Sequence, residues 1–312
     1  MYYFNYNVWF AFDSKEYLKL HREGYICATY NKEIGQKLLT ELPQLIDNNS
    51  PVDLYAYALV LYKNGDRFDK DKAFAIFDKL CDQEYLPAYN AYGVCLFDGI
   101  CVTKSIPGAI RLFKKASDLG CISSKYNLGY FYLRGIGVDK DIELGKSFIE
   151  DAANKGCNNA LHALGSFYLQ GLNGYPQDYN SAFNYLKQAS NHYSAKAAAL
   201  LADMYLNGLG CTKDIDKAIK EHVHASMLDF VPSQKFLADT YYYGKVTEKN
   251  IDRAYSYYLR AAENGDAYSM YSVGYMIVKN EVFWVDKSIG IDWLKKSASL
   301  GNEDAEKLLS KL

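Results

Sequence analysis

The sequence is short of what most binding and catalytic chemistries require. Its 312 residues carry 35 Lys and Arg against 37 Asp and Glu, so there is no surplus of positive charge to neutralise a phosphate backbone, and nucleic acid is not an expected ligand. No run of 18 uninterrupted apolar residues occurs, which excludes membrane insertion through an apolar helix. The N-terminal stretch MYYFNYNVWFAFDSKEYL is apolar, but no Lys or Arg precedes Lys15, and Asn5 and Asn7 interrupt it. It therefore does not fit a secretory signal, and a cytoplasmic location is expected. Histidine is scarce, limited to His21, His162, His192, His222 and His224. The closest two, His222 and His224, would stand about 200° apart around a helix and cannot chelate one ion. The cysteines (Cys27, Cys81, Cys95, Cys101, Cys121, Cys157 and Cys211) are odd in number and scattered, with no CxxC pair, so they read as free thiols and not as metal ligands. No Ser, Thr or Cys nucleophile can be set beside a histidine. Neither a metal, a cofactor, a small-molecule substrate nor an enzymatic activity is expected.

What the chain does have is aromatic mass, with 30 Tyr, 15 Phe and 3 Trp, and only 6 Pro to interrupt helices. One stretch, LGYFYLRGIGVDKDIELGKSF from Leu128 to Phe148, suggests a nucleotide loop through Gly135, Gly137 and Gly145-Lys146-Ser147. A dinucleotide fingerprint and a Walker A loop would each need glycine at position 140, which is Lys140.

The stretch belongs instead to an internal repeat. AYGVCLFDG (91–99), NLGYFYLRG (127–135), ALGSFYLQG (163–171), LLADMYLNG (200–208), FLADTYYYG (236–244) and SVGYMIVKN (272–280) align Gly93, Gly129, Gly165, Ala202, Ala238 and Gly274 at a period of 36 or 37. A second small-residue column holds Ala73, Ala109, Gly145, Ala182, Ala218, Ala254 and Gly290. Each of the seven units predicts two helices. The small residue of the first lets a neighbour approach closely, and apolar residues at i, i+3, i+4 and i+7 form one face of the second, as in Ala109, Leu112, Phe113 and Ala116. Gly120, Gly156, Gly265 and Gly301 follow second helices where a left-handed residue is wanted. His222 falls in the column held elsewhere by Phe113, Ile149, Leu186 and Leu294, which predicts a packed imidazole.

The pattern LGxxYxxGxGxxxD followed by AxxxxxxAAxxG, at a 36-residue period, closely resembles the Sel-one-like repeat family, relatives of the tetratricopeptide repeats. The resemblance implies an all-α fold: a right-handed superhelical α/α solenoid of antiparallel helix pairs, with the first helix of each pair lining a concave face. Because one helix pair cannot bury its own apolar face, neighbouring pairs are expected to stack. Expected domains are a divergent N-terminal helical cap at 1–50, whose aromatics cover the first repeat, seven repeats over 51–303, and a C-terminal capping helix at 304–312. Secreted members with a regular cysteine pair in each repeat form another branch, and this chain lacks that pattern.

The resemblance further implies a non-enzymatic module, an adaptor, scaffold or inhibitor, that binds another protein on the concave face. A narrower alternative is an immunity protein that neutralises a bacterial toxin by direct binding. First-helix positions −3, −2, +1, +4 and +5 from the small-residue column are the ones the core does not claim. They supply the candidate binding residues Asp98, Asn127, Tyr130, Arg134, His162, Gln170, Asp203, Asn207, Asp239, Tyr242, Tyr243, Tyr271 and Tyr275. Tyrosine offers a large rigid area with a polar tip, so its concentration in the sixth and seventh units marks the densest part of this set. Phe283 and Trp284, in the last inter-helix turn, are a second candidate patch.

Overall fold

A computed structural model describes residues 14–22, 32–100 and 102–312. Cys27, Cys101 and the N-terminal aromatics expected to cover the first repeat lie outside them, except Tyr17, which is buried and donates its hydroxyl to the Ala56 carbonyl at 3.2 Å. The described residues form seventeen helices and no strand. They fall into two compact units, residues 1–177 and 178–312.

In each unit, helices alternate between a first and a second member of a pair. The N-terminal unit begins with α1 (Ser14–Arg22) and α2 (Lys32–Leu45). Then follow the pairs α3 (Pro51–Asn64) with α4 (Arg67–Asp82), α5 (Leu86–Asp98) with α6 (Ile106–Asp118), and α7 (Ile122–Arg134) with α8 (Ile142–Asn154), and finally α9 (Asn158–Gln170). The C-terminal unit opens on α10 (Tyr179–Asn191). It continues with α11 (Ala195–Asn207) and α12 (Ile215–Met227), α13 (Val231–Tyr243) and α14 (Ile251–Glu263), α15 (Ala267–Val278) and α16 (Lys287–Ser299), and closes on the short α17 (Glu303–Leu309).

Small residues set how closely the members of a pair approach. A Cβ built on Gly129 would lie 2.7 Å from Ile149 Cγ1 and 2.9 Å from the carbonyl oxygen of Gly145, and one on Gly145 would lie 2.9 Å from the carbonyl oxygen of Gly129. Backbone meets backbone there. The first-helix column extends to the first repeat as Ala58, which is fully buried and lies 35 residues before Gly93, one short of the period. The apolar faces close over this contact. Phe77, Phe113, Ile149, Leu186 and Leu294 are all buried on second helices, and Leu237, Tyr241, Val273 and Ile277 line the core of the C-terminal unit.

Second helix passes to next first helix through three residues in every repeat: 83–85, 119–121, 155–157, 192–194, 228–230, 264–266 and 300–302. The middle residue always has positive φ. Gly120, Gly156, Gly265 and Gly301 behave as expected, and Glu84 (φ 56°), Tyr193 (63°) and Asp229 (57°) are held in the same left-handed conformation without glycine. The amide of the third residue reaches back to the helix, as in Cys121 N–H to Ala116 O at 2.8 Å and Tyr85 N–H to Leu80 O at 2.9 Å. These hydrogen bonds satisfy carbonyls that a helix end leaves open. Each following first helix then starts on an extended residue, and several are capped by side chains, such as Asp266 on the Ser269 amide at 2.8 Å.

Candidate functional site

The glycines of the apparent nucleotide loop have structural roles. Gly135 (φ 66°) ends α7, Gly137 (φ 66°) leaves no space for a Cβ against Ile106, and Gly145 packs on Gly129. The amides of Ile136 and Asp141 donate to the carbonyls of Phe131 and Tyr132, so they do not face outward as a phosphate cradle needs. Lys146 is half-buried beside α8's own Glu143, at 3.7 Å, with its ammonium 4.9 Å from the centre of the Tyr175 ring. The aromatic of the next turn lies over it. Among the described residues no group of three or more His, Cys, Asp or Glu is disposed to hold a metal ion. No described helix is long and apolar enough to cross a membrane. Cys81, Cys95, Cys121, Cys157 and Cys211 form no disulfide, and burial together with Asp78 and Asp82 pushes the Cys81 thiol up to about 12, away from reactivity.

The candidate residues of the N-terminal unit tie neighbouring first helices together as well as facing outward. Tyr62 of α3 donates to Asp98 at the end of α5 at 2.7 Å. Asn127 and Ser124 of α7 both donate to Asn90 Oδ1 of α5, at 2.9 and 3.0 Å. Arg134 is exposed and lies over the Tyr130 ring at 5.7 Å. His162 is half-buried and Gln170 exposed on α9.

In the C-terminal unit the structure gathers Asp239, Tyr242, Tyr243, Tyr271 and Tyr275 into one network, and adds two tyrosines that sequence reasoning missed. Tyr258 of α14, buried to 2% exposure, donates its hydroxyl to Asp239 of α13. Its ring packs edge-on to Tyr268 of α15 at 6.2 Å and to Tyr242 at 6.2 Å. Tyr242 packs on Tyr243 at 5.0 Å and donates to Glu281 at 3.2 Å, and Tyr271 and Tyr275 pair at 5.9 Å. Burial and the Asp239 charge push the Tyr268 phenol up to about 12, and burial raises those of Tyr258 and Tyr242 too, so all remain protonated donors. Tyr243 keeps 53% of its surface exposed. Lys245, Lys249 and Lys279 lie over the rings of Tyr243, Tyr242 and Tyr275 at 5.2, 5.4 and 6.0 Å.

Tyr258 stands in the apolar column of the second helix and so read as core. Tyr268 sits at −6, one turn before the positions considered, but 268, 271 and 275 share one stripe, and following that stripe one turn further would have found it.

Asp203 and Asn207 lie on α11, both exposed, with Asn207 Nδ2 donating to the Asp203 carbonyl at 2.8 Å. Behind Asp203 stands the imidazole of His222, 4% exposed, with Nδ1 3.0 Å from Ser233 Oγ and its ring stacked 3.9 Å from that of Phe236. Desolvation holds this histidine down at about 4. Phe283 and Trp284 are exposed at 75% and 51%. They pack on each other at 5.1 Å, and Trp284 lies 6.4 Å from Tyr255 of α14. A cleft of about 520 Å³ lined by Val223, Tyr241, Asp252, Arg253, Ser256 and Tyr257 opens along α12 and α14.

Helix pairs at fixed spacing, locked by small residues and left-handed connections, define an α-solenoid of the protein-interaction scaffold type. The chain belongs to the Sel1 repeat family, whose model matches residues 51–85, 86–121, 122–157, 158–194, 195–220, 231–266 and 267–302. No curated protein matches the sequence.

Among solved structures it is similar to a protective antigen present in uropathogenic Escherichia coli strains that displays an SLR fold (TM-score 0.62, 23% identity), over 88% of this chain and 59% of the antigen. The chain thus spans under two thirds of that relative's length. A Sel1 repeat protein from Oxalobacter formigenes matches at 25% identity and TM-score 0.62, over 74% of this chain and 94% of its own. An immunity protein from Pseudomonas aeruginosa shares the fold at TM-score 0.56 and 17% identity, over 72% of this chain and 86% of that protein.

Proposed function

We propose that the chain is a non-catalytic interaction scaffold that binds a protein partner on the surface of its first helices, the face expected to be concave, with the tyrosine network of α13 and α15 as its centre. The observation that carries this reading is the hydrogen-bonded and ring-packed set Asp239, Tyr242, Tyr243, Tyr258 and Tyr268, with the Tyr271–Tyr275 ring pair near enough to influence it electrostatically. Its members restrain one another before any partner arrives, so little side-chain freedom remains to be lost on binding. Asp98, Asn127, Tyr130, Arg134, His162, Gln170, Asp203 and Asn207 extend the proposed surface, and Phe283 with Trp284 form a separate contact patch. The proposed compartment is the cytoplasm, a reading supported by the free thiols.

The test is affinity capture with wild-type protein and with Tyr243→Ala/Tyr271→Ala/Tyr275→Ala. Recovery of the same partner in equal amount by the triple variant would remove the support for this surface. The fold shared with immunity proteins of Pseudomonas aeruginosa favours a narrower form, an immunity protein that neutralises a toxin by direct binding. In that form, co-expression should restore growth to cells producing a toxin encoded beside it, and the triple variant should not.

A further inference from the structure

One basic side chain lacks the carboxylate that its counterpart in the preceding repeat has. In the fifth repeat Lys217 of α12 lies over the Tyr205 ring at 5.6 Å and pairs at 3.0 Å with Asp214, the residue that caps the helix. A second carboxylate, Glu221, follows one turn further along the same face. One period later, in the sixth repeat, Arg253 of α14 lies over the Tyr241 ring at 5.3 Å, but the cap is Asn250 and the position of Glu221 holds Tyr257. The cation stays and both anions give way to neutral groups. Among the described residues Arg253 has no ion-pair partner, and its guanidinium donates one N–H to the Tyr241 hydroxyl at 3.3 Å.

This cation opens onto a space. Arg253, with Val223, Tyr241, Asp252, Ser256 and Tyr257, lines the cleft of about 520 Å³ along α12 and α14, a volume within the range of sites that take a small ligand or the end of a peptide. The rings of Tyr241 and Tyr257 are parallel to within 4°, with centres 6.0 Å apart, and together with Val223 they supply the apolar part of the lining. Tyr241 is buried and holds the guanidinium from one side, so the exposed Arg253 is placed in advance and keeps its other N–H groups for an incoming acceptor.

We propose that this cleft binds a carboxylate carried next to an apolar side chain, at the end of a peptide or on an acidic residue, with Arg253 taking the carboxylate and Tyr257 and Val223 the apolar group. A planar fork of N–H donors matches a carboxylate with two parallel hydrogen bonds. Asp252, exposed in the same lining, repels every negative charge brought in, which favours a singly charged carboxylate over a doubly charged phosphate. The site lies between second helices, apart from the first-helix surface, and goes beyond the function proposed above.

The experiment titrates N-acetyl-alanyl-leucine, with its free terminal carboxylate, into the full-length protein at pH 7 and follows the leucine methyl signals by saturation-transfer NMR. Saturable binding is expected, half-complete on the order of 1 mM. The amidated peptide should bind about tenfold more weakly, and so should the free peptide to Arg253→Gln. Asn250→Asp keeps a capping side chain and gives Arg253 the internal partner that Lys217 has, so it too should weaken the free peptide about tenfold, with the guanidinium still in place. Both positions are exposed, and far-UV circular dichroism checks that the variants fold. N-acetyl-glutamyl-leucine amide carries its carboxylate on a side chain, and whichever of the two carboxylate peptides binds more tightly names the source. Equal binding of the amidated peptide, unchanged affinity in either variant, or no saturation by either carboxylate peptide up to about 20 mM would overturn the proposal. The two readings fail separately: this titration does not depend on capture of a partner, and its failure leaves the tyrosine surface standing.

Discussion

His222 makes the stability of the C-terminal unit depend on pH in a direction and amount that can be worked out. Its folded pKa is about 4 against an ordinary 6.5, because charging the ring would put an uncompensated cation among Phe236, Ser233 and the helix contacts. Glu221 beside it on α12 pulls the other way without winning, and Asp203 stays too far off to pair. Between pH 6.5 and 4 the unfolded chain binds a proton that the folded chain refuses, so stability present above the unfolded pKa is lost as pH falls toward the folded one. The shift corresponds to about 3 kcal/mol at 1.36 kcal/mol per pKa unit. Other carboxylates also titrate in this range, so the informative quantity is a difference between two proteins. Phenylalanine fills the same slot as Phe77 and Phe113, which makes His222→Phe the natural comparison. Urea unfolding followed by far-UV circular dichroism at pH 7 and pH 4 should show the variant gaining about 3 kcal/mol on the wild type over that interval. Parallel losses in the two proteins would refute the reasoning, since the imidazole would then be free to protonate in place.

The other expectations are local. Gly129→Ala drives a methyl against Ile149 and the Gly145 carbonyl, and should cost about 1–3 kcal/mol by the same unfolding assay. Tyr258→Phe leaves the Asp239 carboxylate without its buried donor and should cost a similar 1–3 kcal/mol, while the helical signal of the folded protein is retained.

Much of the architecture was legible because each repeat restates it. Gly93, Gly129, Gly165 and Gly274 with Ala202 and Ala238 announce the close approach of helices six times over, and no competing pattern has that period. The three-residue connections were only partly legible: Gly120 and Gly156 advertise a left-handed residue, whereas Glu84, Tyr193 and Asp229 adopt it because the helices on either side leave no other path. Ala58 escaped notice because its repeat is one residue short. The candidate site was legible as a set of outward positions and not as a network. Whether Tyr258 would be core or would reach Asp239 depends on a hydroxyl about one bond beyond the ring, and periodicity does not weigh a hydroxyl.

The uniform three-residue connection also divides the chain into parts that can and cannot change length. Repeats of 35, 36 and 37 residues differ between first helix and second: the joining turn covers 65–66 in one case, where the two helices run to 14 and 16 residues, and 171–178 in another, where they have 13 each. One residue added to a connection such as 119–121 would rotate all that follows and bring polar faces inward. The same residue added to the turn between α13 and α14, at 244–250, merely lengthens a loop next to the tyrosine network. That edge is where a new partner preference could be grafted, by evolution or at the bench, without renegotiating how one helix pair sits on the next.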